Sequence, residues 1–135
     1  MKKRTFVFVM SAAVLILLGV VWYNAPIDIM NLDSGEVLEI VIFNGNTGNA
    51  THIDNPQQIE RIVENLNSVK VKRDKPSLGY MGYSYKITIY LKDGNEAGDW
   101  NNFIINSESY IRKDPFFYAV TDGSTGYDYI SEIVN

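Results

Sequence analysis

Residues 5–23, TFVFVMSAAVLILLGVVWY, carry no charged side chain over nineteen positions, and that one stretch constrains where the rest of the chain can work. As a helix rising ~1.5 Å per residue it would reach roughly 28 Å, close to the ~30 Å hydrocarbon core of a bilayer. Residues 1–4, Met-Lys-Lys-Arg, set three cations on one side of it. Under the positive-inside rule those cations stay cytoplasmic, so everything after Tyr23 is expected outside. A signal peptide has a shorter apolar run, ~7–15 residues, and ends in small residues at its cleavage site. Here the run leaves through Val21, Trp22 and Tyr23, which suit an interfacial aromatic belt. Ala25 could precede a cut, but Tyr23 would then fill the other specificity position. The sequence therefore predicts a retained single-pass anchor in a cell membrane, with secretion after signal cleavage as the alternative. There is no cysteine, which excludes an N-terminal lipid-bearing Cys and any disulfide staple.

Beyond the anchor, residues 24–135 suffice for one domain with its own core. Of twelve Lys and Arg, three sit in the leader, and none of the sixteen Asp and Glu do; the outward portion thus holds nine against sixteen, a net charge of −7. Such a domain repels phosphate backbones, so nucleic acid is not an expected partner.

Residues 24–36, NAPIDIMNLDSGE, mix turn formers with scattered apolar residues and read as a juxtamembrane linker ahead of a domain over 37–135. Residues 37–43, VLEIVIF, predict a buried strand, and 50–53 its hairpin return across an Asn- and Gly-rich turn. Residues 55–67 make the main helix: Asn55 suits the N-cap, Pro56 the first turn, Gln58 a capping-box position, and Ile59, Ile62, Val63 and Leu66 form one stripe. Residues 69–73 alternate as a short edge-like strand guarded by lysines. Residues 74–82 read as a loop. Residues 83–92 alternate most clearly, with Tyr83, Tyr85, Ile87, Ile89 and Leu91 on one face and Ser84, Lys86, Thr88, Tyr90 and Lys92 on the other. Asp93-Gly94 signals a hairpin, followed by strands within 100–105 and 110–113. After an aromatic run at 116–118, residues 127–134 predict a short C-terminal helix. The expected fold class is α+β: an N-terminal transmembrane or signal helix, then an antiparallel sheet with one main amphipathic helix and a terminal one.

The order of Phe43-Asn44-Gly45, Gly48-Asn49, the Ile59–Ile62–Leu66 stripe, Gly82-Tyr83-Ser84-Tyr85-Lys86-Ile87-Thr88-Ile89-Tyr90, Phe103-Ile104-Ile105 and Phe116-Phe117-Tyr118 resembles small membrane-anchored or lipoprotein domains of unknown function from Gram-positive bacteria. The resemblance spans most of 37–134 and implies an outward-facing α+β domain, with no catalytic residues to carry over.

Thiol chemistry and His/Cys zinc clusters are excluded by the absence of cysteine and the single histidine, His52. No Gly-x-Ser-x-Gly elbow accompanies His52, which reads as an ordinary strand residue beside a turn. The loop 44–49 lacks both the acidic order of a calcium loop and the Lys-Ser/Thr of a phosphate loop. Asp93, Glu96 and Asp99 read as solvated turn charges. No catalytic residue, metal ligand or cofactor is therefore assigned. What stands out is aromatic content, with nine Tyr, two Trp and six Phe; sheet cores use Tyr and Phe freely, so most of Tyr83, Tyr85, Phe103 and Phe117 are expected to be packing. Tyr90 falls on the polar face of its strand, and Tyr80, Met81 and Trp100 lie in or beside loops, so these four form the candidate partner-binding surface. The expectation is a non-catalytic module that binds a protein or peptide at the cell surface. A small envelope enzyme or glycan binder is the alternative; it would require two carboxylates converging in a pocket beside Trp100 or Tyr80.

Overall fold

The computed structural model describes residues 2–95 and 97–135, so Met1 of the leader and Glu96 of the turn acids lie outside the described residues. In chain order the elements are helix α1 (Lys3–Asn24), strands β1 (Ile27–Asp28), β2 (Val37–Asn44) and β3 (Ala50–Ile53), helix α2 (Pro56–Ser68), strands β4 (Lys70–Pro76), β5 (Tyr85–Leu91), β6 (Asn102–Ile105), β7 (Tyr110–Lys113) and β8 (Phe116–Asp122), and helix α3 (Tyr127–Val134). Single 3-10 turns occupy Ser34–Glu36 and Gly98–Trp100. The eight strands make one sheet in the order β1-β4-β8-β7-β6-β5-β2-β3, every neighbour antiparallel. The fold is α+β, and α1 is long and apolar enough to cross a membrane, as a signal sequence also is.

Alternation along the strands builds the core. Ile40 and Ile42 of β2 lie opposite Ile89 and Ile87 of β5. The same face continues through Phe103 and Ile105, then Ile111, then Tyr118, each paired with its neighbour across the ladder. All of these are buried. Helix α2 closes this face. Asn55 Oδ1 accepts from the amides of Gln57 (2.9 Å) and Gln58 (3.2 Å), satisfying two donors the first turn would leave unpaired. Ile59, Ile62, Val63 and Leu66 are all buried, each burial contributing about 1.5–3 kcal/mol. The helix also carries the chain from β3, at one edge of the sheet, across to β4 near the other.

Helix α3 is fixed at both ends by side chains. Glu108, from the β6–β7 turn, accepts from the Asp128 amide (3.2 Å) and from the hydroxyls of Ser124 (3.1 Å) and Thr125 (3.2 Å). At the other end Asn135 donates to the Tyr85 hydroxyl (3.0 Å) and accepts from Asn44 (2.9 Å).

Three elements differ from what the sequence predicts. The stretch 24–36, expected to be a linker, belongs to the fold: β1 pairs Ile27 with Val71 and Asp28 with Lys70, and Ile29 and Met30 enter the core. Asn67, in the last turn of α2, clamps it by accepting from the Leu32 amide (3.0 Å) and donating to the Leu32 carbonyl (2.8 Å). Strand β4 runs through Pro76 and is not the edge, because β1 covers its first two residues and β8 its whole other side. Strand β2 is buried on one face only; Val41 and Phe43 are half-buried on the other, which no helix covers.

Candidate functional site

The helix-free face of the sheet carries a regular row of side chains. The ladder sets Lys75 of β4 opposite Phe117 of β8, Phe117 opposite Arg112 of β7, Arg112 opposite Ile104 of β6, Ile104 opposite Lys86 of β5, and Lys86 opposite Phe43 of β2. Cation and apolar residue alternate across six strands. Directly paired residues stand ~4.5–5.5 Å apart, so the row is one continuous stripe.

Residues 77–84 connect β4 to β5, and because those strands begin and end at opposite ends of the sheet, the connection crosses this face. Its entry is pinned. Ser77, fully buried, donates from its amide to the Pro115 carbonyl (2.8 Å) and from its hydroxyl to Asp114 Oδ1 (2.5 Å). Arg112 Nε donates to the same oxygen (3.0 Å). The Ser77 hydroxyl first, and the Arg112 guanidinium second, hold the Asp114 carboxyl below the usual carboxylate range. Tyr80 then folds onto Phe117 edge to face, ring centroids 5.1 Å apart, with Lys75 Nζ 5.0 Å from the Tyr80 ring and 5.3 Å from the Phe117 ring. Beside this aromatic pair opens a cavity of about 330 Å³ lined by Asp74, Lys75, Asn106, Ser107, Tyr110 and Phe117. Next to it, a smaller hollow of about 210 Å³ is lined in part by Lys86, Ile104, Arg112 and Asp114.

Of the four candidate surface residues, the structure brings two together. Tyr80 and Met81 are neighbours on the crossing, half and almost fully exposed respectively. Tyr90 lies on the same face of the sheet but four residues along β5 from Lys86, roughly 13 Å away at ~3.3 Å per residue. Trp100 is on the opposite side, packed edge to face on Tyr118 (5.1 Å) and Phe103 (5.9 Å), with Lys113 Nζ 5.7 Å from its ring. Sequence reasoning missed Lys75, Arg112 and Phe117; the alternation within β7 and β8 marks their face, but the register that aligns them cannot be read from one strand.

Carboxylates lining the two cavities are few. The cavity beside Tyr80 is lined by one, Asp74, and the adjoining hollow by Asp114, already bonded to Ser77 and Arg112. His52 is exposed on β3 with Nδ1 3.2 Å from Glu39 Oε2 on β2.

A second contact system lies on the helix-covered face, where α1 meets the sheet. Arg73 of β4 donates to the Trp22 carbonyl (2.9 Å), and its guanidinium carbon sits 3.7 Å from the Trp22 ring centroid. The Tyr23 hydroxyl donates to the Asp74 carbonyl, which a bulge between Arg73 and Lys75 turns out of the β4–β8 ladder. Both Trp22 and Tyr23 pack edge to face on Phe116, at 6.4 and 6.0 Å. Burial pushes the neighbouring Tyr118 hydroxyl up, partly offset by the Arg73 charge.

No family profile, curated protein or solved structure matches this chain.

Proposed function

We propose that this chain is a single-pass membrane protein whose domain works outside the cell and holds an acidic, apolar-studded segment of a partner protein against the helix-free face of its sheet. The observation that carries this is the row Lys75–Phe117–Arg112–Ile104–Lys86–Phe43, alternately basic and apolar in a domain whose net charge is −7. Arg112 is already met by Asp114, which leaves Lys75 and Lys86 as the cations of the row that can draw an anionic segment, and the exposed Tyr80 beside Lys75 is the kind of side chain that protein interfaces concentrate. The carboxylate content of the adjoining cavities favours binding over hydrolysis, which needs two acids facing one bond.

Retention of α1 as an anchor is supported by its far end. Trp22 and Tyr23 make specific contacts with Arg73, Asp74 and Phe116, contacts that cleavage after the apolar run would discard. Orientation follows from Lys2, Lys3 and Arg4, which keep the leader cytoplasmic.

The test is photocross-linking on intact cells from an unnatural residue at Ile104, in the middle of the row. The expected result is a discrete cross-linked partner that disappears in the Lys75→Glu/Lys86→Glu variant while that variant still reaches the membrane. Cross-linking that is unchanged by the double charge reversal, or that yields no specific partner, overturns the proposal.

A further inference from the structure

We infer that the turn at residues 77–81 is a second lipid contact, seating Leu78 and Met81 in the outer interface of the same bilayer that α1 spans; this rests on α1 being a retained anchor. Three observations converge on it.

The first is direction. Strand β1 leads away from α1 and pairs antiparallel with β4, Ile27 opposite Val71. Traced backward from Ile27, the chain passes Tyr23 and Trp22 beside Asp74 and Arg73. Strand β4 therefore runs toward the end of the domain from which α1 projects, and no residue of α1 before Trp22 is buried against the domain. The turn begins just past Pro76, closed by the Tyr80 amide donating to the Ser77 carbonyl (3.2 Å). Leu78 is four residues beyond Asp74, so it lies within about 13 Å of the Trp22–Tyr23 belt at ~3.3 Å per residue.

The second is exposure. Leu78 is 69% exposed and Met81 95%, the two most exposed large apolar side chains outside α1 among the described residues. Neither packs on the core cluster, although Tyr80 between them does find Phe117. The glycines at 79 and 82 both take positive φ, +87° and +85°, which lets the backbone turn sharply enough to present Leu78 and Met81 outward.

The third is the surrounding charge. Lys75 stands over Tyr80, its ammonium 5.0 Å from the ring centroid. Of the two carboxylates at the root of the turn, Asp114 is already held by Ser77 and Arg112, and Asp74 stands one residue before Lys75. Apolar tips, a tyrosine and a flanking lysine are the combination that partitions to the headgroup boundary, and lysine favours anionic lipid. The row proposed for the partner lies on the face behind this turn and shares with it Lys75 alone.

The chain contains no cysteine, so single labels can be placed cleanly. Leu78→Cys, Met81→Cys, Leu15→Cys and Thr51→Cys variants of the full chain would each carry an environment-sensitive fluorophore and be reconstituted into phosphatidylcholine/phosphatidylglycerol vesicles. The readout is quenching by nitroxide-bearing lipid against quenching by aqueous iodide. Leu15 reports the span, and Thr51, on β3 at the far edge of the sheet, reports the bulk-facing domain. The expected result is lipid quenching at positions 78 and 81 several-fold above that at 51, and strongest at 15. Strong quenching at 15 with positions 78 and 81 no different from 51 overturns this inference and leaves the anchor standing. Absence of lipid quenching at 15 overturns the anchor reading and this inference with it.

Discussion

Asp114 accepts from both Ser77 and Arg112, so the fold stabilises its ionised form, and the consequence for pH has a definite sign. A carboxyl with a lowered folded pKa contributes stability above its ordinary value, about 3.9, and that contribution is lost as pH falls through the folded value. The side chain is half exposed, which keeps the effect small. Asp114→Asn should therefore unfold at lower urea at neutral pH, by about 0.5–1 kcal/mol, with the gap to the parent closing below about pH 4. Urea midpoints at pH 7 and pH 3 check this; a gap independent of pH would mean the hydrogen bonds matter and the charge does not. Gly123 makes a sterner demand on one position. It takes φ +78° after β8, and a Cβ there would stand 2.2 Å from the Ser68 carbonyl oxygen at the end of α2. Gly123→Ala must shift backbone in one of two elements, so a loss of more than about 2 kcal/mol by urea denaturation is expected.

At the scale of elements, what the sequence made legible is what one segment states on its own. The alternation of 83–92 and the stripe of 55–67 are local periodicities; the helix stands where predicted, capped by Asn55, and the strand runs over Tyr85–Leu91, with Tyr83 left before it and packed on Phe43 of the other face. Segment 24–36 was illegible for the opposite reason. Ile27, Ile29, Met30 and Leu32 have no sustained period, and only the neighbouring β4 and Asn67 make them structural. The same holds for the candidate site. Tyr80 and Met81 stand out in sequence as loop-borne apolar residues, whereas the cation–apolar row exists only once five ladders are in register. Trp100 stands out equally yet is packed, because a one-turn 3-10 helix returns it over Phe103 and Tyr118. If 24–36 were a linker, Ile29→Ala would be neutral. As a residue 3% exposed in the core, it should cost about 2–4 kcal/mol, measurable as a drop in thermal or urea midpoint of the detergent-solubilised chain.

At the scale of the whole molecule, the boundary between α1 and the sheet is short and fastened. The helix ends at Asn24, and the sheet has already begun at Ile27. Two residues cannot form a flexible tether, and Trp22 and Tyr23 are fastened to Arg73, Asp74 and Phe116 besides. The domain is thereby held in one orientation against α1 instead of swinging from it. Removing residues 1–24 should leave β1 and the core intact and cost only the Trp22–Tyr23 contacts, a cation over a ring, two hydrogen bonds and two edge-to-face contacts with Phe116, together about 2–5 kcal/mol. Removing residues 1–32 takes β1, Ile29, Met30 and the Leu32 clamp as well, leaving Asn67 without its backbone partners and β4 with an open edge. With about 1.5–3 kcal/mol lost for each core side chain in addition to the clamp, the loss in the shorter chain approaches the whole stability of a small domain. The longer truncation product should thus be folded and water-soluble by circular dichroism and show a cooperative urea transition, and the shorter should be unfolded or aggregated. Equal stability of the two would return residues 25–32 to the role of a tether and remove the argument for a fixed orientation of the domain against α1.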